Sequence, residues 1–125
     1  MFSKKRKEEI CRQIFIKKVF DDFHNKKLYS RKKMVTNYKQ ALAIGLSISN
    51  KRCEDIKSVK KEVLKDFKVE DMLKLIKTKE LIKLVKTDKY SNTKNINELK
   101  TKRDVYNKYF NKQKFINKLS YYLKN

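Results

Sequence analysis

A chain of 125 residues with no proline, one glycine and abundant lysine, isoleucine and leucine can bury one core without metals, and it lacks the turn residues that an all-β fold needs. Its 35 Lys and Arg against 14 Asp and Glu give a formal net charge of +21, which a compact body holds against self-repulsion and which a polyanionic partner would relieve. One histidine, no glycine-rich phosphate loop and acids scattered among lysines exclude the usual catalytic constellations, so no enzymatic activity, cofactor or metal is expected; no run of 18 apolar residues is present to cross a membrane.

The spacing predicts a single helical basic domain over residues 1–125, with a linker expected at 87–95. Its fold class is all-α: about five helices bundled around an apolar central helix near 37–50, closed by a long C-terminal helix. Residues 3–27 open with KKRK and then place Ile10, Cys11, Ile14, Phe15, Val19, Phe20 and Phe23 three and four apart, the pattern of an amphipathic helix. Ser3 with Glu8 and Glu9 suits its start, and Lys26 and Lys27 suit the negative end of its dipole. Cys11 and Cys53 match neither a disulfide framework nor a zinc site and are expected as buried free thiols in a reducing compartment. The segment HNKKLYSRKKMV gathers Lys26, Lys27, Arg31, Lys32 and Lys33 around Tyr29, with His24 read as a helix-end residue rather than a ligand. A flexible basic loop entering a helix N-terminus, where free amides and cations point one way, is the best candidate for binding phosphate.

The stretch TNYKQALAIGLSISN, residues 36–50, holds the only glycine and no charge between Lys39 and Lys51. Leu42, Ile44, Leu46 and Ile48 alternate as in a strand. Asn37 as a cap, Gln40 three residues on, and the alanine and leucine content argue for a helix instead. As a helix it is apolar on nearly every side and is expected to be buried, with Gly45 marking where a second helix or a ligand passes close. KQALAIGLS, with basic residues on both sides, resembles the R-K-Q-A-I-A-I-A/G-L-S segment of small, very basic proteins from phages, bacterial mobile elements and large DNA viruses. The resemblance covers Val35 to about Arg52 and departs at Tyr38, Ile48 and Ser49. It implies an accessory or virion protein of a DNA element, associated with nucleic acid and carrying no catalytic residues. A helix-turn-helix fails on spacing, since Ala43 and Gly45 are two residues apart where that motif needs four.

Residues 53–68 place Ile56, Val59, Val63 and Phe67 on one helical face. MLKLIKTK and LIKLVKTDK then echo at nine residues, a spacing that flips helix faces, so two short helices broken near Thr78 are expected rather than one. A strand hairpin is the other reading of 72–86. From Ile96 onward, Leu99, Val105, Tyr106, Tyr109, Phe110, Ile116, Leu119, Tyr122 and Leu123 keep helical spacing, with a kink and a capping restart expected at Thr101. The tyrosines of this segment, interleaved with lysines, suit core packing first and base stacking second.

Thirty of the 35 cations are lysines and five are arginines, a balance that favours phosphate contact over base reading. The sequence therefore points to a protein that binds nucleic acid, duplex DNA before RNA, with little sequence readout. The residues expected to carry binding are Lys26, Lys27, Arg31, Lys32, Lys33, Lys39, Lys51 and Arg52. The setting that follows is a virion or the cytoplasm or nucleus of a host cell, and the competing reading is a structural adaptor docking on an acidic protein.

Overall fold

The computed structural model describes residues 1–54, 61–88, 93–94 and 96–124. The fold is all-α, with seven α-helices and one small hairpin among the described residues. The chain divides into two compact units, one formed by Ser3–Val59 and the other by Lys60–Asn125 with Met1–Phe2.

The first unit opens with α1, Lys4–His24, whose N-cap Ser3 accepts a hydrogen bond from the Arg6 amide at 3.1 Å. Ile10, Cys11, Ile14, Phe15 and Val19 are buried along it, the stripe that the three-and-four spacing predicts. The helix stops because Lys26 takes a left-handed φ of 58°. The Lys26 amide then reaches the Phe23 carbonyl at 3.2 Å and the Lys27 amide the Asp22 carbonyl at 2.8 Å, the paired closure in which glycine is the usual residue. In place of a flexible loop, the connector folds as a hairpin of β1, Tyr29–Ser30, and β2, Lys33–Met34, pairing Tyr29 with Met34 and Ser30 with Lys33. Leu28 and Val35, joined by a 2.8 Å backbone hydrogen bond, sink into a buried cluster with Val19 and Ala41 and so fix the hairpin's base.

Next comes α2, Tyr38–Cys53, capped by the Asn37 side chain, which accepts from the Lys39 amide at 2.8 Å. The helical reading of this stretch is correct, but its expected burial is not. Only Ala41, Gly45, Ser49 and Cys53 are buried, whereas Leu42 and Leu46 are exposed and Ile44 and Ile48 are half-buried. Small residues four apart let α1 come close. A methyl on Gly45 would meet Val19 at 3.7 Å and the Ile16 backbone at 3.8 Å. Tyr38 packs on Phe20 in a tilted ring contact with centroids 5.3 Å apart, and Cys53 is bonded to Cys11. As residue numbers rise along α2 their partners fall along α1, so the two helices are antiparallel. That register corrects the expectation of free thiols: it brings the two cysteine Cα atoms to 5.9 Å, within disulfide reach.

Residues 55–60, with Ile56, Lys57, Val59 and Lys60 of the expected third helix, lie outside the described residues. The observed part, in the second unit, is α3, Lys61–Lys65, with Leu64 buried. Residues 72–86 are helical, as α4, Val69–Lys74, and α5, Thr78–Lys86. Thr78 is the first residue of α5 rather than its cap. Lys77 holds the cap position, and its amide donates to Glu80 Oε1 at 2.7 Å. Residues 89–92 and 95 of the expected linker are also outside the described set. After a single 3-10 turn at Ile96–Glu98, the Thr101 hydroxyl accepts from the Asp104 amide and starts α6, Lys102–Tyr109. A second break follows: Phe110 is extended, and Asn111 caps α7, Lys112–Lys124, by accepting from the Lys114 amide at 2.8 Å. Leu81, Leu84, Val105, Phe115, Ile116 and Leu119 are buried in this unit, where α3 packs on α7 and α5 on α6. No helix among the described residues is long and apolar enough to cross a membrane.

Candidate nucleic-acid interface

Between Asp22 and Glu54 the chain has no acidic residue and eight cations, which are Lys26, Lys27, Arg31, Lys32, Lys33, Lys39, Lys51 and Arg52. All eight are exposed. Six of them occupy the reversal from α1 to α2. Lys26 and Lys27 close α1, Arg31 and Lys32 form the hairpin tip, Lys33 lies in β2, and Lys39 is in the first turn of α2. The remaining two are not brought to this end. Lys51 and Arg52 lie in the last turn of α2, about 18 Å from Lys39 at 1.5 Å per residue. There the Cys11–Cys53 bond sets them beside the turn of α1 that carries exposed Arg12. Nothing in the spacing of Arg12 marks its nearness to this end of α2, because the Cys11–Cys53 bond is what brings the two turns together.

The hairpin tip holds its cations in an unusual backbone. Arg31 at φ 50° and Lys32 at φ 67° make the two central residues of a turn of the I′ kind, where asparagine and glycine are preferred. Each non-glycine residue held in that region costs on the order of 1 kcal/mol. Aromatic rings border the same end. Tyr29 and Tyr38 are both 60% exposed, and Tyr38 leans on Phe20, which meets Phe23 edge-on with centroids 6.4 Å apart. The basic run already marks Tyr29 in the sequence, whereas nothing in the spacing marks Tyr38.

The C-terminal helix offers a different surface, an open depression of about 620 Å³ lined by Asn111, Gln113, Lys114, Asn117, Lys118, Tyr121 and Tyr122. Its cations are engaged within the protein. Lys114 pairs with Asp88 at 3.2 Å, and Lys118 donates to the Thr87 hydroxyl at 2.9 Å. Of the four C-terminal tyrosines, Tyr106 is buried against Phe110 and Phe115, so it serves the core. Burial raises its phenol pKa above the usual 10.0, and the Arg103 guanidinium opposes that rise. Lysines elsewhere in this unit likewise bind carbonyls: Lys102 donates to Leu73 and Ile76 at 2.7 and 2.9 Å, and Lys112 to Lys65 at 2.7 Å. No group of three or more His, Cys, Asp or Glu side chains among the described residues could hold a metal ion. No family model, curated protein or solved structure matches the chain.

Proposed function

We propose that this chain is a non-enzymatic basic protein that binds nucleic acid mainly through phosphates, duplex DNA in preference to RNA, and that it packages or organises the DNA of a virus or mobile element. The observation that carries the binding is the acid-free run from Phe23 to Cys53, whose eight cations all face solvent. With no carboxylate in the run to offset them, they form the kind of field that attracts a polyanion and releases its counterions. The viral or mobile-element setting, and with it a place in a virion or in the cytoplasm or nucleus of a host cell, rests on the resemblance of KQALAIGLS.

Duplex binding measured over a salt series tests the reading. If all eight cations meet phosphates, log K falls against log salt with a slope near −7, from about −0.9 per contact. Changing Arg31, Lys32 and Lys33 together to Gln flattens that slope by about 3 and leaves the fold intact by circular dichroism. Unchanged affinity in the triple variant would remove the hairpin from the interface. A second reading, docking on an acidic protein, is favoured by the exposure of Leu42, Leu46, Tyr29 and Met34. Binding through such a surface would vary little with salt.

A further inference from the structure

The outward face of α2 breaks the rule that a surface helix turns charge to solvent. In a chain that is 39% charged, no charged residue occurs from Gln40 to Asn50. Ala41, Gly45 and Ser49 are buried. At 100° per residue, Gln40, Ala43, Ser47 and Asn50 fall within about 80° of arc centred opposite Gly45, and all four are exposed. Leu46, 46% exposed, lies at the edge of this stripe. Lys39 precedes the stripe and Lys51 follows it, so a band of amide, hydroxyl and methyl groups about 15 Å long is closed at both ends by cations.

Resting on the nucleic-acid reading above, we propose that this face of α2 enters the major groove of duplex DNA and reads A·T base pairs there. The groove is about 12 Å wide and admits one helix. Lys39 at one end and Lys51 at the other are placed to meet phosphates on its two walls, which is the charge complementarity that selects this occupant. Within the groove, Gln40 and Asn50 can each pair with the N6 amino group and N7 of adenine, and Ala43 and Leu46 can pack on the thymine methyl. The stripe carries no arginine, the side chain best suited to guanine. The buried side fits the task as well, since the small residues of α2 seat it closely on α1 and the Cys11–Cys53 bond ties its far end.

The experiment selects the preferred site of the 125-residue chain from a random duplex pool. It then measures affinity for that site, for a G·C-only duplex, and for the selected site with 7-deazaadenine in place of adenine. The expected result is an A·T-containing site bound at least about tenfold tighter than the G·C duplex. Deazaadenine, which removes only the major-groove N7, should abolish most of that preference. Gln40→Ala with Asn50→Ala should also abolish it, leaving G·C affinity, salt slope and urea midpoint unchanged. Equal affinity for all duplexes with a steep salt slope overturns base reading and leaves phosphate binding standing. A preference that survives deazaadenine means that adenine N7 is not read by Gln40 and Asn50 and equally overturns the proposal, as does a preference for double-stranded RNA, whose major groove is too narrow for a helix. No duplex binding at low salt overturns both readings together.

Discussion

At the hairpin tip, Arg31 and Lys32 hold backbone angles that asparagine and glycine adopt at little cost. Replacing the pair by Asn and Gly should raise stability to urea by about 1–2 kcal/mol. The same change removes two cations and should flatten the salt slope for duplex binding by about 2. A variant that is sturdier yet binds less steeply would show that the native residues are kept for their charge. Gly45 is the converse case. Its place against α1 is what a lone glycine in an apolar helix leads one to expect, yet the nearest atoms to an added methyl are at 3.7 Å, an ordinary contact. Gly45→Ala should therefore stabilise the first unit by up to about 1 kcal/mol through helix propensity alone, read as a higher urea midpoint. Loss of stability would mean that α1 sits closer than these distances. The cationic residues of the candidate site were legible because charge is written in the sequence. The positive φ of Lys26, Arg31 and Lys32 was not, because it is imposed by the chain reversal on residues that do not advertise it.

Among the elements, α1, α2 and the split of 72–86 into two helices followed from spacing and caps, as did the restart at Thr101. The break at Asn111 was missed: Phe110 and Phe115 continue an apolar pattern across it, and an asparagine within a lysine-rich run gives a weak local signal. The burial of α2 was misjudged for a clearer reason. A segment without charge need not be inside, and here Ala41, Gly45 and Ser49 face α1 while Leu42 and Leu46 face out. The Cys11–Cys53 bond belongs to this scale too, since it spans a separation of 42 residues. Closing a loop of that length in the unfolded chain is worth about 4 kcal/mol in a chain-entropy account. Reduction by dithiothreitol should lower the stability of the first unit by a comparable amount, measured as a fall in its thermal midpoint; an unchanged midpoint would show that α1 and α2 hold together by packing alone. In the second unit the link between α6 and α7 is aromatic, with Tyr106, Phe110 and Phe115 in mutual ring contact. Because burial raises the Tyr106 pKa, the folded form binds that proton more tightly than the unfolded chain. The resulting stability is complete below pH 10 and declines as pH rises past it. Tyr106→Phe should remove that part of the alkaline loss, seen as a shallower fall in stability between neutral and alkaline pH.

For the molecule as a whole, the surplus of lysine predicted a cationic protein but not which cations stay available. Lys102, Lys112, Lys114 and Lys118 are spent on carbonyls, a carboxylate and a hydroxyl within the second unit. The cations of the acid-free run instead face water. That division depends on which side chains reach helix ends across the fold, information that no local pattern holds. The hairpin adds one practical consequence. Its tip offers trypsin two adjacent exposed basic residues, and the sulfur bridge joins the stretches on either side of the cut. A single scission after Arg31 or Lys32 would therefore leave two polypeptides that migrate as one species until a reductant parts them.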